Sequence, residues 1–292
     1  MLKTLLAKNP KADFKPPGGV KAEDPFVLIL DIATGTATFF YECIEVIERT
    51  MKDKWCKETG KKKWSDPEIV GRWNDYVPRH LLPRLYGYEI MMAPYAIAHV
   101  KLALKLGETG YRFRPADRLH IYLTDSLEPA SDFADSKLAD MFTTLAKEAH
   151  EVNTIKAKKL FTVILGNPPY LREKERGPGE REQRIGGWVR YGNAGVTVPL
   201  FDDFIKPLAD LGLGIHAKLG YELSVIFWRL ALWMVYEKRK SPGIVGMISP
   251  RAYVAGPGHT AMRAWMRKHC STIRVADLGG DNRGARTGQS FR

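Results

Sequence analysis

Asn167-Pro168-Pro169-Tyr170 stands directly after the apolar run Phe161–Gly166 (FTVILG). Two successive prolines end an extended segment, fix the turn and withhold backbone donors. The Asn167 side-chain oxygen and the Pro168 carbonyl are left as hydrogen-bond acceptors. Tyr170 adds a flat ring that can stack on a planar ligand. A rigid strand-to-loop turn with a packed tyrosine would use the same residues, because Asn-Pro pairs initiate turns.

A second group lies near the start. Asp31 to Phe40 (DIATGTATFF) follows the apolar run VLIL. A strand, a Gly-containing turn and a helix start form a binding corner for a nucleoside cofactor, although an ordinary βα turn reads alike. Asp31, Ala33, Thr34, Gly35 and Thr36 line that turn. Phe39 lies one turn into the helix, where it packs on a ligand or in the core. Glu89 closes Leu85–Glu89 (LYGYE), the place of an acid that accepts ribose hydroxyls or faces water. It stands much farther from Asp31 than the roughly 20 residues of the simple fingerprint, and residues 51–80 supply most of the excess. Asp125, in LHIYLTDSLEP, ends a further strand and either caps the next segment or faces a ligand.

Short apolar runs and amphipathic runs alternate around these residues. Strands are expected at Phe26–Asp31, Leu85–Glu89, Leu119–Leu123, Phe161–Gly166, Gly243–Ser249 and Ile273–Gly279, each mostly apolar as buried parallel strands are. Helices are expected near Thr38–Lys52, Pro94–Leu106, Ala134–Ala157, Tyr221–Arg239 and His259–His269. This alternation predicts an α/β fold with a doubly wound parallel sheet, whose ligands sit beyond the carboxyl ends of the strands. Residues 51–80 and 171–199 break the rhythm and read as long loops, of the functional or disordered kind. The basic run Lys52–Lys63, with Trp55 and Trp64, suits phosphates and bases, or equally a solvated face. Arg229 and Glu222 read as a polar stripe on an otherwise apolar helix.

Composition bounds the rest. The 292 residues carry 45 Lys+Arg against 33 Asp+Glu, a net +12 that points to a polyanionic partner. The longest apolar stretch contains Arg229 and is too short to span a bilayer, and no leader pattern precedes it. Three cysteines without CxxC spacing argue against a disulfide framework, and the scattered histidines against a metal site. The reading is a reduced, soluble, cytoplasmic protein without metal.

The strand plus NPPY resembles the catalytic motif of S-adenosylmethionine-dependent amino-methyltransferases, which act on exocyclic amines such as adenine N6. That resemblance implies a Rossmann-like sheet in which Asn167 and the Pro168 carbonyl accept bonds from the target amine. Pro169 completes the turn, and Tyr170 holds a base flipped out of the duplex. Asp31–Phe39 looks like the cofactor motif, with Ile32 where Pro is common and Ala37 where a second Gly is common. The resemblance gives Glu89 the ribose hydroxyls and Asp125 the cofactor's adenine amine. Asn167 favours adenine over cytosine, since the family's cytosine enzymes more often carry Ser there.

WNDYVPRHLLPRLYGYEIMMAPYAIAHVKLALKLGETGYRF, LFDDFIKPL and SPRAYVAGPGHTAMRAWMRKH look like the methyltransferase part of Type ISP restriction-modification enzymes. They imply one catalytic core over 1–292. Residues 26–170 would form the cofactor-binding half and catalytic motif, with an insertion at 51–80. Residues 171–292 would form a loop and the C-terminal half of the sheet. The cofactor-closing motif upstream, the last hairpin strand after Gln289 and the target-recognition domain are expected to be missing. The implied activity is site-specific N6-adenine methylation of double-stranded DNA, with nuclease and translocase regions elsewhere. The alternatives are methylation of RNA or of protein glutamine, and a non-catalytic nucleic-acid-binding remnant.

Overall fold

The computed structural model describes residues 27–130, 143–170, 185–192, 198–217, 221–240 and 242–277. The described residues form two compact units: those up to Pro169 with Phe227–Ile248, and Tyr170–Ile226 with those from Ser249 onward.

The first unit holds the sheet. Its strands are β1 (Ile29–Asp31), β2 (Leu85–Glu89), β3 (His120–Leu123), β4 (Val163–Gly166) and β5 (Ile244–Met247), ordered β3-β2-β1-β4-β5 and all parallel. The chain winds outward from β1 through β2 to β3, then crosses to β4 and β5. The topological switch point therefore falls between β1 and β4, whose register sets Asp31 opposite Leu165. β2 is buried along its whole length, which explains why LYGYE shows no polar alternation.

Helix α1 (Thr38–Thr59) leaves β1 and packs its Phe40, Ile44 and Trp55 against Ile69 and Trp73 of α2 (Pro67–Tyr76) and Leu102 and Leu106 of α3 (Met92–Glu108). Residues 51–80 are thus helical and half-buried, not a loop. The lysine-rich tip after Gly60, which ends α1 at φ 73, looked irregular, whereas the tryptophans on either side serve the core. Asp66 caps α2 by accepting from the Glu68 N–H at 3.0 Å, with Pro67 in the first helical turn. Lys52 is buried as well. Its Nζ donates to Glu48 Oε1 at 2.8 Å and to the Thr109 carbonyl at 2.7 Å, while Trp73 Nε1 donates to Thr109 Oγ1 at 2.7 Å. Lys52 and Trp55 are therefore structural, leaving Trp64, partly exposed and bonded to Asp53, at the surface.

Helix α4 (Thr143–Lys158) leads into β4. Further along lie α5 (Gly187–Tyr191), α6 (Asp202–Asp210) and α7 (Leu223–Leu232), which is extended by a π-helical turn at Trp233–Lys238. The polar residues here turn inward and form no exposed stripe. Arg229 is 1% exposed and pairs with Glu237 at 2.7 Å, and Glu222 is 3% exposed and accepts from Ser224 Oγ at 3.0 Å. In the second unit, α6 meets α9 (Thr260–His269), with Phe204 edge-on to Trp265 at 6.3 Å; the short α8 (Ala252–Ala255) precedes it.

The sixth expected strand does not form within residues 273–277. Ile273 and Val275 are 42% and 53% exposed, and no ladder partner pairs with them among the described residues. An apolar run becomes a strand only where another strand meets it. The segment before Val27, most of the 171–199 loop and the residues around Gln289, after which the last hairpin strand was expected to be missing, lie outside the described residues.

Candidate functional site at the sheet switch point

Asp31 ends β1 with its carboxylate fully buried. Oδ1 accepts from the Ala33 N–H at 3.1 Å, while Oδ2 is enclosed without a hydrogen-bond partner. Burial pushes this carboxyl up to about 7; the Ala33 N–H pulls it down, and the Glu89 charge raises it further. A buried unpaired acceptor is destabilising by about 1–3 kcal/mol unless a donor meets it.

The turn after Asp31 is held by its own backbone and by β2. The Thr34 N–H donates to the Tyr88 carbonyl at 3.0 Å, and Thr34 Oγ1 donates to the Asp31 carbonyl at 3.1 Å. Gly35 has φ +55, and nothing lies within 4 Å of where a Cβ would stand. Ala37 has φ 60, which accounts for the glycine common at that position: a left-handed alanine costs about 1–2 kcal/mol. Its methyl is fully buried in the core, which offsets part of that cost. Ala33, Thr36 and Phe39 are partly exposed along the same turn, whereas Phe40 is buried in the core.

Glu89 is not a solvated strand-end acid. Its Oε2 accepts from the Gly35 N–H at 2.7 Å and its Oε1 from the Met91 N–H at 2.7 Å, so it clasps the β1 turn to β2. Each oxygen keeps a second lone pair for a hydroxyl. Asp125 acts as a cap: Oδ1 accepts from the Leu127 N–H at 2.8 Å, and Oδ2 takes no hydrogen bond from the described residues. Its neighbour Ser126 donates to the Ile32 carbonyl at 2.6 Å, tying the turn after β3 to the turn after β1.

Asn167 follows β4 and is exposed, Pro168 is buried and Pro169 exposed. Tyr170 is the first residue of the second unit and is 41% exposed. Asp31, Glu89 and Asn167 thus come together at the carboxyl ends of three neighbouring parallel strands, beside the switch point, with Asp125 one strand further out.

Gly87, Ser126 and the clasping bonds of Glu89 were not singled out from sequence. For Gly87 a signal existed, since glycine inside a strand marks a close approach. A Cβ there would stand 2.5 Å from Thr34 Oγ1 and 3.0 Å from the Phe40 ring. Gly87→Ala is therefore expected to cost about 1–3 kcal/mol by overpacking. Thermal unfolding should show that loss. A cofactor titration should show weakened binding alongside it, because the displaced group is the turn itself.

With this geometry in place, known proteins supply a frame. The model of the Eco57I restriction-modification methylase family matches residues 84–283, a stretch containing Glu89, Asp125 and Asn167–Tyr170. The chain belongs to that family. The match begins downstream of β1, so the Asp31–Phe39 turn of this methylase stands on the structure alone.

No curated protein matches the sequence. Among solved structures, a nuclease-deletion mutant of the Type ISP restriction-modification enzyme LlaGI, in complex with a DNA substrate mimic, resembles the methylase with a TM-score of 0.57. That match has 19% identity and covers 89% of this chain and 18% of LlaGI. The DrdV–DNA complex aligns with a TM-score of 0.52 at 20% identity, covering 92% of this chain and 21% of DrdV. The ATP-dependent Type ISP enzyme LlaBIII bound to DNA gives 0.52 at 20%, covering 82% of this chain and 14% of LlaBIII. These likenesses establish the fold, and the methylase spans about a fifth or less of those enzymes' length. Among its described residues, no helix is long and apolar enough to cross a membrane, and no group of three or more His, Cys, Asp or Glu could hold a metal ion.

Proposed function

We propose that this methylase transfers a methyl group from S-adenosylmethionine to the N6 amine of adenine in double-stranded DNA, as the modification part of a restriction-modification system. The observation that carries the reading is the placement of Asp31 and Asn167 at the carboxyl ends of the neighbouring strands β1 and β4, on either side of the switch point.

The residues fit the cofactor. Asp31 has a buried oxygen awaiting a donor, and Gly35 leaves open space above its backbone. Glu89 offers second lone pairs at its ribose-facing position, and Asp125 keeps Oδ2 for an amine. Ala33, Thr34, Thr36 and Phe39 complete the surface around them. When bound, S-adenosylmethionine supplies an electrophilic methyl group on a sulfonium. Asn167 and the Pro168 carbonyl would accept hydrogen bonds from the two N–H groups of the target amine and localise its lone pair for attack on that methyl. S-adenosylhomocysteine would leave, and the proton lost from the amine would pass to water. Tyr170 supplies the ring face for the flipped base. Positioning provides much of the acceleration, so no strong general base is required.

DNA as the acceptor is supported by the +12 charge and by structural neighbours solved with DNA. The test is transfer of labelled methyl to duplex DNA, RNA and protein, followed by digestion of the DNA to nucleosides. Label in N6-methyldeoxyadenosine is expected. Label in cytosine, RNA or glutamine would replace the proposed substrate. Salt-sensitive DNA binding without any cofactor binding would remove the activity altogether.

A further inference from the structure

Lys156, in the last turn of α4, is a half-buried cation that the proposed chemistry leaves unused. Its Nζ donates to the Asp125 carbonyl at 2.6 Å and to the Glu128 carbonyl at 3.1 Å. Those carbonyls bracket a turn closed by the Glu128 N–H on the Asp125 carbonyl at 3.3 Å and by the Leu127 N–H on Asp125 Oδ1 at 2.8 Å. The ammonium lies 5.7 Å from the centre of the Tyr88 ring on β2. On its far side, Lys238 of the π-helical turn donates to the Lys156 carbonyl. Two lysines in series thus connect the Trp233–Lys238 segment to the turn after β3.

Because Leu127 occupies Oδ1, the direction of Oδ2 is fixed by the shape of the turn, and Lys156 fixes both of its ends. We infer that Lys156 is a positioning residue that aims the Asp125 carboxylate at the adenine amine of the cofactor. The inference rests on the proposed assignment of Asp125 and extends it to a residue on another element. Among the described residues, the groups facing the ammonium are Asp125 and Glu128 on the turn and Tyr88 from β2, while Lys238 bonds the Lys156 backbone carbonyl. Burial, the largest influence, draws the Lys156 ammonium down to about 8 against the pull of Asp125 and Glu128. Above that pH it loses its charge; the neutral amine still has an N–H for each of the two carbonyls, but the bonds are no longer charge-assisted and hold the turn less firmly.

The test compares binding of S-adenosylhomocysteine with its 6-deamino analogue, in which hydrogen replaces the adenine amine, by calorimetry on the full chain. The wild type is expected to prefer the amine-bearing ligand by at least about tenfold, the value of one hydrogen bond to a charged acceptor. Lys156→Met keeps the apolar stem and removes the donors. It should lose most of that preference while its affinity for the deamino ligand stays as in the wild type. Lys156→Arg should keep part of the preference. In the wild type, the preference should decline as pH rises from 7 to 9, a readout that needs no variant to fold. A full preference in Lys156→Met, or one independent of pH in the wild type, would overturn the positioning role. A wild type with no preference would instead overturn the assignment of Asp125 itself.

Discussion

Asn167→Ala should reduce methyl transfer to duplex DNA by about 10²–10³-fold or more in kcat, the range seen when one preorganised polar partner of a reacting centre is removed. Cofactor affinity should change by less than about threefold, under 1 kcal/mol. The split follows from position. Asn167 is exposed directly after β4, whereas the turn that would hold the cofactor is built from β1, β2 and the segment after β3. Single-turnover rates with labelled cofactor, beside a calorimetric titration, measure the two quantities independently. Equal losses in both would mean that Asn167 shapes the cofactor corner and does not act on the amine.

Asp31→Asn should move stability and binding in opposite directions. The Asp31 carboxyl has been raised from 3.8 to about 7 in the folded chain, with burial the largest cause. Between those values the folded state holds a proton that the unfolded state has released, so this group makes stability fall as pH rises toward 7. The cost is fully present above about pH 7 and is relieved as pH drops toward 3.8. Asparagine never ionises and keeps an acceptor for the Ala33 N–H. The amide removes the buried charge but sets an NH2 where Oδ2 has no partner, so the ligand-free variant should gain only about 1 kcal/mol above pH 7, the excess of a charged over a neutral unpaired group. The gain in Tm should shrink steadily toward pH 5. Cofactor affinity should fall by roughly 10–100-fold with the loss of a charged acceptor. A variant less stable than the wild type at pH 8, or a Tm difference flat with pH, would contradict the account of Asp31.

What could be read from the residues divides along a physical line. Buried parallel strands are apolar on both faces, so FVLILD, LYGYE, LHIYL, FTVILG and GIVGMIS announced themselves, and the acids closing three of them followed. IRVADLG announced itself equally well, yet its residues 273–277 form no strand. Local pattern cannot tell whether a partner strand will arrive. Residues 51–80 failed in the reverse sense. Their lysines and glycine suggest a loop, but Lys52 and Trp73 find their partner in Thr109, far along the chain. The site divides the same way. Asp31, Glu89, Asp125 and Asn167 are legible as polar residues at strand ends. That Glu89 grips the Gly35 N–H, or that Ser126 grips Ile32, depends on strand order, which no single segment contains.

The position of β1 has a consequence in time. It is only three residues long and sits at the centre of the sheet, yet its neighbours on either side arrive with Leu85 and with Val163. A ribosome delivers β1 long before β4 exists, so β1 must wait, half-paired at best, until the crossover to β4 has been made. Contacts this distant in sequence make for slow folding and high contact order. During that wait the Asp31 turn has no second wall. Expression at lower temperature, or with a holdase chaperone present, should therefore raise the soluble yield more than any change confined to the surface.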